Sequence, residues 1–310
     1  MSVIKKYIKK IAFVILFLIF LFPRISSSQI ESVPAKKSPL IFIGQDIDSI
    51  DSYIIDIGHV PDGLMSYTSI QQLEGLDSAF DSGGGTQYAQ GLIEEYLGVP
   101  LQIGLYLVGA LDDILAGQYD KSILKLADWF NKNKNTTIYL RIGYEFDNPE
   151  NNYEFVAYIQ AYRYIVDHLR KLGVRNALYV WHSYGAFVIG DIERWYPGDS
   201  YVDWVAISFY DAFGKSNMMR TFNIAKKYNK PVMIAESTPR GMNVEDGKKV
   251  WNLWHKQLFD FAEKNDVKII CYINWDWEDV PMFQGQGWGN GRIQDNDFIR
   301  NKWLDEVLKD

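Results

Sequence analysis

Residues 136–152 read TTIYLRIGYEFDNPENN: an apolar run rich in β-branched and aromatic residues ends beside Glu145, and Arg141 stands four positions before that glutamate. A run of this kind suits a strand buried in a sheet, which places the carboxylate at the mouth of a buried element. A second run, NKPVMIAESTPRG (229–241), also ends on a glutamate, Glu236. Working outward from this pair, similar runs occur at 40–45, 63–68, 101–107, 137–143, 177–183, 203–210, 231–237 and 268–275. Helical spacing separates them, most clearly in FVAYIQAYRYIVDHLRKLG (155–173) and GKKVWNLWHKQLFDFAEKN (247–265), where apolar residues recur at three and four. Strand-like runs alternating with amphipathic helices over this length predict an α/β fold, a single closed (β/α)8 TIM barrel over residues 39–310. An open doubly wound sheet would carry a glycine-rich phosphate loop after its first strand, and none follows residue 45 here. DSGGGTQ (81–87) reads as a mobile loop at the end where strands finish.

The first 28 residues stand apart. Four lysines in MSVIKKYIKK precede an apolar run of about a dozen residues, IAFVILFLIFLF, and then the small residues of ISSSQ. This is the pattern of a secretory signal peptide over residues 1–28, followed by a flexible leader at 29–38. The run is short for a spanning helix, so a secreted or extracytoplasmic chain is expected, with an uncleaved amino-terminal anchor as the alternative and no stable membrane insertion once the signal is removed. Removing Lys5, Lys6, Lys9, Lys10 and Arg24 takes five positive charges from a net charge of −7, leaving −12. So acidic a chain is unsuited to nucleic acid, whose phosphates call for dense Lys and Arg. A monomer is expected. The sole cysteine, Cys271, lies in the apolar run KIICYINW and reads as a small buried hydrophobe.

In a barrel of this kind the site forms at the carboxyl ends of the strands. Glu145 follows the fourth run and Glu236 ends the seventh, which lie across the mouth from one another. Two convergent carboxylates are the machinery of glycoside hydrolysis, one protonating the leaving oxygen and the other attacking or assisting at the sugar carbon. The alternative is a barrel that binds carbohydrate without cleaving it; only catalysis requires both carboxylates. The 10 Trp and 20 Tyr exceed what a core needs and offer flat surfaces for sugar stacking. Trp275, at the end of the eighth run, is expected to form the platform. Gln45, Asp46, Tyr144, Asn148, Trp181, Trp277, Trp288 and Arg292 are further candidates for substrate contact, and His182 is expected to face the same mouth. DIDSID (46–51) lacks the glycine and terminal glutamate of a calcium loop, and the chain's 4 His show no metal spacing, so neither metal nor organic cofactor is expected. No GxSxG elbow occurs.

LRIGYEFDN (140–148), YVWHSYG (179–185), WYPGDSYVDWVAISFYD (195–211) and KPVMIAES (230–237) resemble the β-mannanase and β-xylanase group of glycoside hydrolase family 26, within clan A. The resemblance covers most of residues 40–305 and is most specific in WYPGDSYVD. It implies that Glu145 is the acid/base, Glu236 the nucleophile, and that the anomeric configuration is retained. Arg141 would keep the nucleophile ionised and Tyr210 would donate its hydroxyl to Glu236. A polysaccharide is the implied substrate: a β-mannan or β-xylan. Tyr144 stands where the family usually has His, which leaves room for an unusual or sulfated glycan such as a fucan, met by Lys215, Arg240 or Arg292.

Overall fold

In the computed structural model the described residues are 39–81, 83–186, 190–212 and 215–309, so the expected signal peptide and leader lie outside them. Eight parallel strands close into a barrel in sequence order. They are β1 (Leu40–Gly44), β2 (Gly63–Ser69), β3 (Leu101–Tyr106), β4 (Ile138–Ile142), β5 (Ala177–Ser183), β6 (Trp204–Phe209), β7 (Val232–Ser237) and β8 (Ile269–Ile273). The closing seam pairs Leu40 with Ile269 through to Gly44 with Ile273. The TIM barrel expected from the spacing of the runs is the fold.

Strand alternation sorts the core into two layers. Along β4, Ile138, Leu140 and Ile142 pack outward against helices, while Tyr139 points inward with Phe42, Met65, Val180, Ala206 and Met233. Cys271 lies inside the barrel too, and its thiol donates to Gln102 Oε1 at 3.2 Å.

The helices follow from their apolar spacing and caps. The helix Phe155–Lys171 buries Tyr158, Ala161, Tyr162, Ile165, Val166 and Leu169, and Glu154 caps it by accepting from Ala157 N at 2.8 Å. Asp46 likewise caps the helix Ile47–Ile57, accepting from Ser49 N at 3.1 Å, which gives DIDSID a structural role. Among the described residues, no group of three or more His, Cys, Asp and Glu is placed to hold a metal, and no helix is long and apolar enough to cross a membrane. Two crossovers depart from the regular pattern. Between β5 and β6 the described residues hold only a 3-10 turn (Ile192–Trp195), and the segment before β8 carries a π-helical turn at Trp251–His255 that packs Trp254 and His255 inward.

The two flanks of the DSGGGTQ stretch pair with each other. Phe80–Asp81 pair antiparallel with Thr86–Gln87, and Gln87 Oε1 accepts from Ser66 Oγ at 3.1 Å and Tyr67 N at 2.9 Å, pinning the hairpin to β2.

Candidate active site

A register slip places the second glutamate. Ile207 of β6 pairs with Ile234 of β7, but Ser208 pairs with Glu236, so Ala235 is the extra residue of a bulge. Bulges re-aim side chains. Here Ala235 packs into the barrel interior and Glu236, directly after it, also turns to the barrel mouth beside Ser208.

The first glutamate is placed by a sharp turn. Gly143, at φ +55°, leaves β4 with its α-carbon hard against Tyr158: a β-carbon there would meet Tyr158 Cε2 at 2.9 Å. Glu145 itself has φ +52°, a left-handed conformation that costs a non-glycine residue about 1–3 kcal/mol. Asn151 Nδ2 holds the turn, donating to Glu145 O at 2.9 Å and Tyr144 O at 3.2 Å.

The two carboxylates meet at one hydroxyl. Tyr210 OH donates to Glu236 Oε2 and lies 3.2 Å from Glu145 Oε1. Its single proton goes to the nearer carboxylate, Glu236, leaving the Glu145 contact the longer one. Two hydrogen-bond lengths from a common oxygen keep the nearest carboxylate oxygens within about 6 Å of one another. Fully buried Arg141 forms an ion pair with Glu236 through Nη1, and the Tyr67 and Tyr144 rings each lie 4.9 Å from its guanidinium carbon. Glu145 is also buried, and accepts from Ser208 Oγ at 2.5 Å and Asn148 Nδ2 at 3.2 Å. Burial, and then the Glu236 charge, push its carboxyl up to about 8. One carboxylate thus faces a fixed cation while the other holds its proton at neutral pH.

The pair opens into a cleft of about 820 Å³. Of the residues expected from sequence, Gln45, Tyr144, Asn148, Trp277 and Trp288 line it together with both glutamates and Tyr210. Others do not. Trp181, completely buried, points outward from β5, stacks on Phe146 and donates to Trp195 O, so it belongs to the layer between barrel and helices. His182 points inward but sits behind the glutamates, between Arg141 and Ser208. Trp275, the expected platform, donates to Asp46 Oδ1 at 2.8 Å and borders a separate, smaller concavity with Asp46 and Arg292. Of the two tryptophans in INWDW it is Trp277 that reaches the cleft, stacked on Trp288 with centres 4.4 Å apart, and Trp275 buttresses it edge to face at 5.0 Å. Of the three cations expected in loops, Lys215 instead begins the helix Lys215–Lys227, and only Arg240 lines the cleft, its guanidinium carbon 4.2 Å from the centre of the Trp288 ring. Lys215 bonds Gln257, and Arg292 pairs with Asp295.

Sequence reasoning missed Ser208, Gly104, Tyr67, Tyr106 and Tyr184. Ser208 was within reach, because it stands two residues before Tyr210 on a strand and so faces the same way. The others depend on contacts between strands.

A (β/α)8 barrel with two convergent, unequally held carboxylates at its mouth resembles the clan A glycoside hydrolases. More particularly, the chain resembles glycoside hydrolase family 26, as its motifs implied: the model of Glycosyl hydrolase family 26 matches residues 143–274, a stretch that holds both glutamates. Two curated relatives are a beta-1,3-xylanase, TXYA, from Vibrio sp, 29% identical over 87% of this chain, and a beta-1,3-xylanase from Alcaligenes sp, 29% identical over 86%. The chain spans 65% and 63% of their respective lengths. Among solved structures, GH26C from Muricauda sp. has a TM-score of 0.64 at 17% identity, over 88% of this chain and 86% of that one. A GH26 beta-mannanase from Bacteroides ovatus has a TM-score of 0.62 at 15% identity, over 88% and 89%. These two likenesses are of fold.

Proposed function

We propose that the chain cleaves β-1,3-linked xylan internally, by double displacement with retention. The observation that carries the mechanism is the bridging Tyr210 hydroxyl. It supports a carboxylate spacing on the scale of retaining enzymes, about 5 Å, below the roughly 6.5–9.5 Å that leaves room for an inverting water. In the first step a Glu236 oxygen attacks the anomeric carbon and the glycosidic bond breaks, while the Glu145 proton passes to the leaving oxygen. Esterification removes the Glu236 charge, one of the causes that raise the Glu145 carboxyl. Glu145 then becomes a readier base for the water that attacks the anomeric carbon of the glycosyl ester; Glu236 is released as a carboxylate, and the anomeric carbon, inverted twice, keeps its configuration.

Support for the substrate comes from the two beta-1,3-xylanase relatives, while Tyr144, standing where the family resemblance has His, speaks against the familiar mannan specificity. A cleft walled by the rings of Tyr106, Tyr144, Trp277 and Trp288 offers stacking surfaces to several sugars of a bound chain. Assaying β-1,3-xylan, β-1,4-xylan, β-mannan and a sulfated fucan side by side tests this, with proton NMR of the first product. Release of β-anomers from β-1,3-xylan is expected. Initial α-anomers would overturn retention, and preferential cleavage of the fucan would transfer the substrate reading to Arg240 and an anionic glycan. The lysine-rich start and short apolar run support export, with a mature chain beginning near Gln29. Mass spectrometry of the native protein checks this, and an intact Met1 in a soluble cytoplasmic fraction would contradict it.

A further inference from the structure

Behind the glutamates runs a chain of hydrogen bonds that the reaction scheme above does not use. Arg141 Nη1, which pairs with Glu236, also lies 3.2 Å from His182 Nδ1. His182 Nε2 lies 3.0 Å from Ser208 Oγ, and Ser208 Oγ lies 2.5 Å from Glu145 Oε1. All three connecting side chains are fully buried or nearly so. A guanidinium only donates. His182 must therefore accept at Nδ1 and carry its proton on Nε2. That proton goes to Ser208 Oγ, whose own hydrogen is left to point at Glu145 Oε1. Reversing the chain, with the acid proton on Oε1 donated to Ser208, would put a hydrogen on Nδ1 facing the guanidinium. The direction is thus fixed from the nucleophile's partner toward the acid/base.

We propose that His182 and Ser208 are positioning residues that keep Glu145 Oε1 an acceptor, so that the proton delivered to the leaving oxygen is carried on Oε2. Oε2 is the oxygen beside Asn148, a cleft-lining residue, and its contact there, 3.2 Å, is the looser one. In the second step the same Ser208 hydroxyl stabilises the carboxylate form from which Glu145 acts as base. This rests on the proposed hydrolysis for its kinetic reading only. The charged and titratable groups facing Glu145 are Glu236 on β7, Arg141 on β4, and Tyr210, Tyr184 and Tyr144 at the ends of β6, β5 and β4.

The test compares Ser208→Ala and Ser208→Thr in the full chain, on whichever glycan the native protein cleaves. Ser208→Ala removes one hydrogen bond to the charged form of Glu145, so the basic limb of kcat/KM should move up by about one pH unit. Ser208→Thr, which keeps the hydroxyl, should restore it. A merely structural Ser208 would lower the melting temperature or the rate equally at all pH values, and a stationary limb in folded Ser208→Ala would overturn the proposal. The second measurement needs no substrate: nitrogen-15 NMR of His182 in the native protein should show a neutral ring with its proton on Nε2 across pH 5–8. A proton on Nδ1, or an imidazolium at pH 6, would overturn it. If no glycan is cleaved, hydrolysis as the function fails while the NMR result still decides the relay.

Discussion

Gly104 on β3 shows how far the site depends on single atoms. A β-carbon there would stand 2.6 Å from Tyr67 Cδ1 and 2.9 Å from Arg141 Nη2. Glycine is what lets the guanidinium lie between its tyrosines and still reach Glu236. Gly104→Ala is expected to destabilise by about 1–3 kcal/mol through overpacking. It should also lower kcat more than it raises KM, because the displaced group is the ion-pair partner of Glu236; steady-state kinetics and thermal melting check the two effects. An unchanged kcat would detach Arg141 from the chemistry. At the glutamates themselves, Glu145→Gln and Glu236→Gln should each reduce turnover by several orders of magnitude with the fold retained. The Glu145 carboxyl adds a pH dependence. Its folded value, about 8, exceeds the ordinary 4.5, so the folded state holds the proton more tightly. The stability it contributes is complete below about pH 4.5 and is lost as pH rises toward about 8. Glu145→Gln stays neutral throughout, so its melting temperature relative to the native protein should be higher at pH 9 than at pH 5. A pH-independent difference would show that the raised value is absent.

Among the elements, the loop after β8 separates two jobs that its tryptophans share. Trp277→Ala removes a cleft wall and should reduce kcat/KM about tenfold or more. Trp275→Ala removes a buried ring away from the cleft. It should lower stability by about 3–5 kcal/mol with kcat/KM per folded molecule little changed. Melting curves and kinetics on both variants check this, and the opposite pattern would return the platform role to Trp275. The order of these two rings was not legible in the sequence, because a tryptophan in a loop carries no period to show which way it points. Trp181 was misplaced on the cleft for a different reason, since it lies within β5. Counting from inward His182 assigns it to the outer face, and that parity becomes visible only once one neighbour's direction is known. The β6–β7 slip was likewise hidden. Neither AISFY nor MIAES contains a glycine or other mark of a bulge, and the irregularity exists only in how the two strands pair.

For the whole molecule, the barrel was legible because its signal is repeated. Eight β-rich runs separated by helical spacing constrain topology together even where single boundaries drift by a residue or two. Both ends of the described barrel are tied into this closure, with Trp303 Nε1 donating to Tyr53 OH at 2.8 Å between the helices Asp297–Val307 and Ile47–Ile57. The glutamate pair was legible for the same global reason: strands four and seven face one another only in a closed barrel. What stayed out of reach was the wiring behind the pair, where Arg141, His182, Ser208 and Tyr210 come from three different strands and their ends. The central claim is that Glu236 becomes covalently bound to sugar during turnover. It is tested most directly by incubating the protein with an activated 2-deoxy-2-fluoro xylobioside, which slows release of the glycosyl ester, and recording its intact mass. The expected result is a gain of one fluorinated glycosyl unit per chain, with peptide mapping locating it on Glu236. Rapid release of the activated leaving group with no adduct, or an adduct on Glu145, would contradict it.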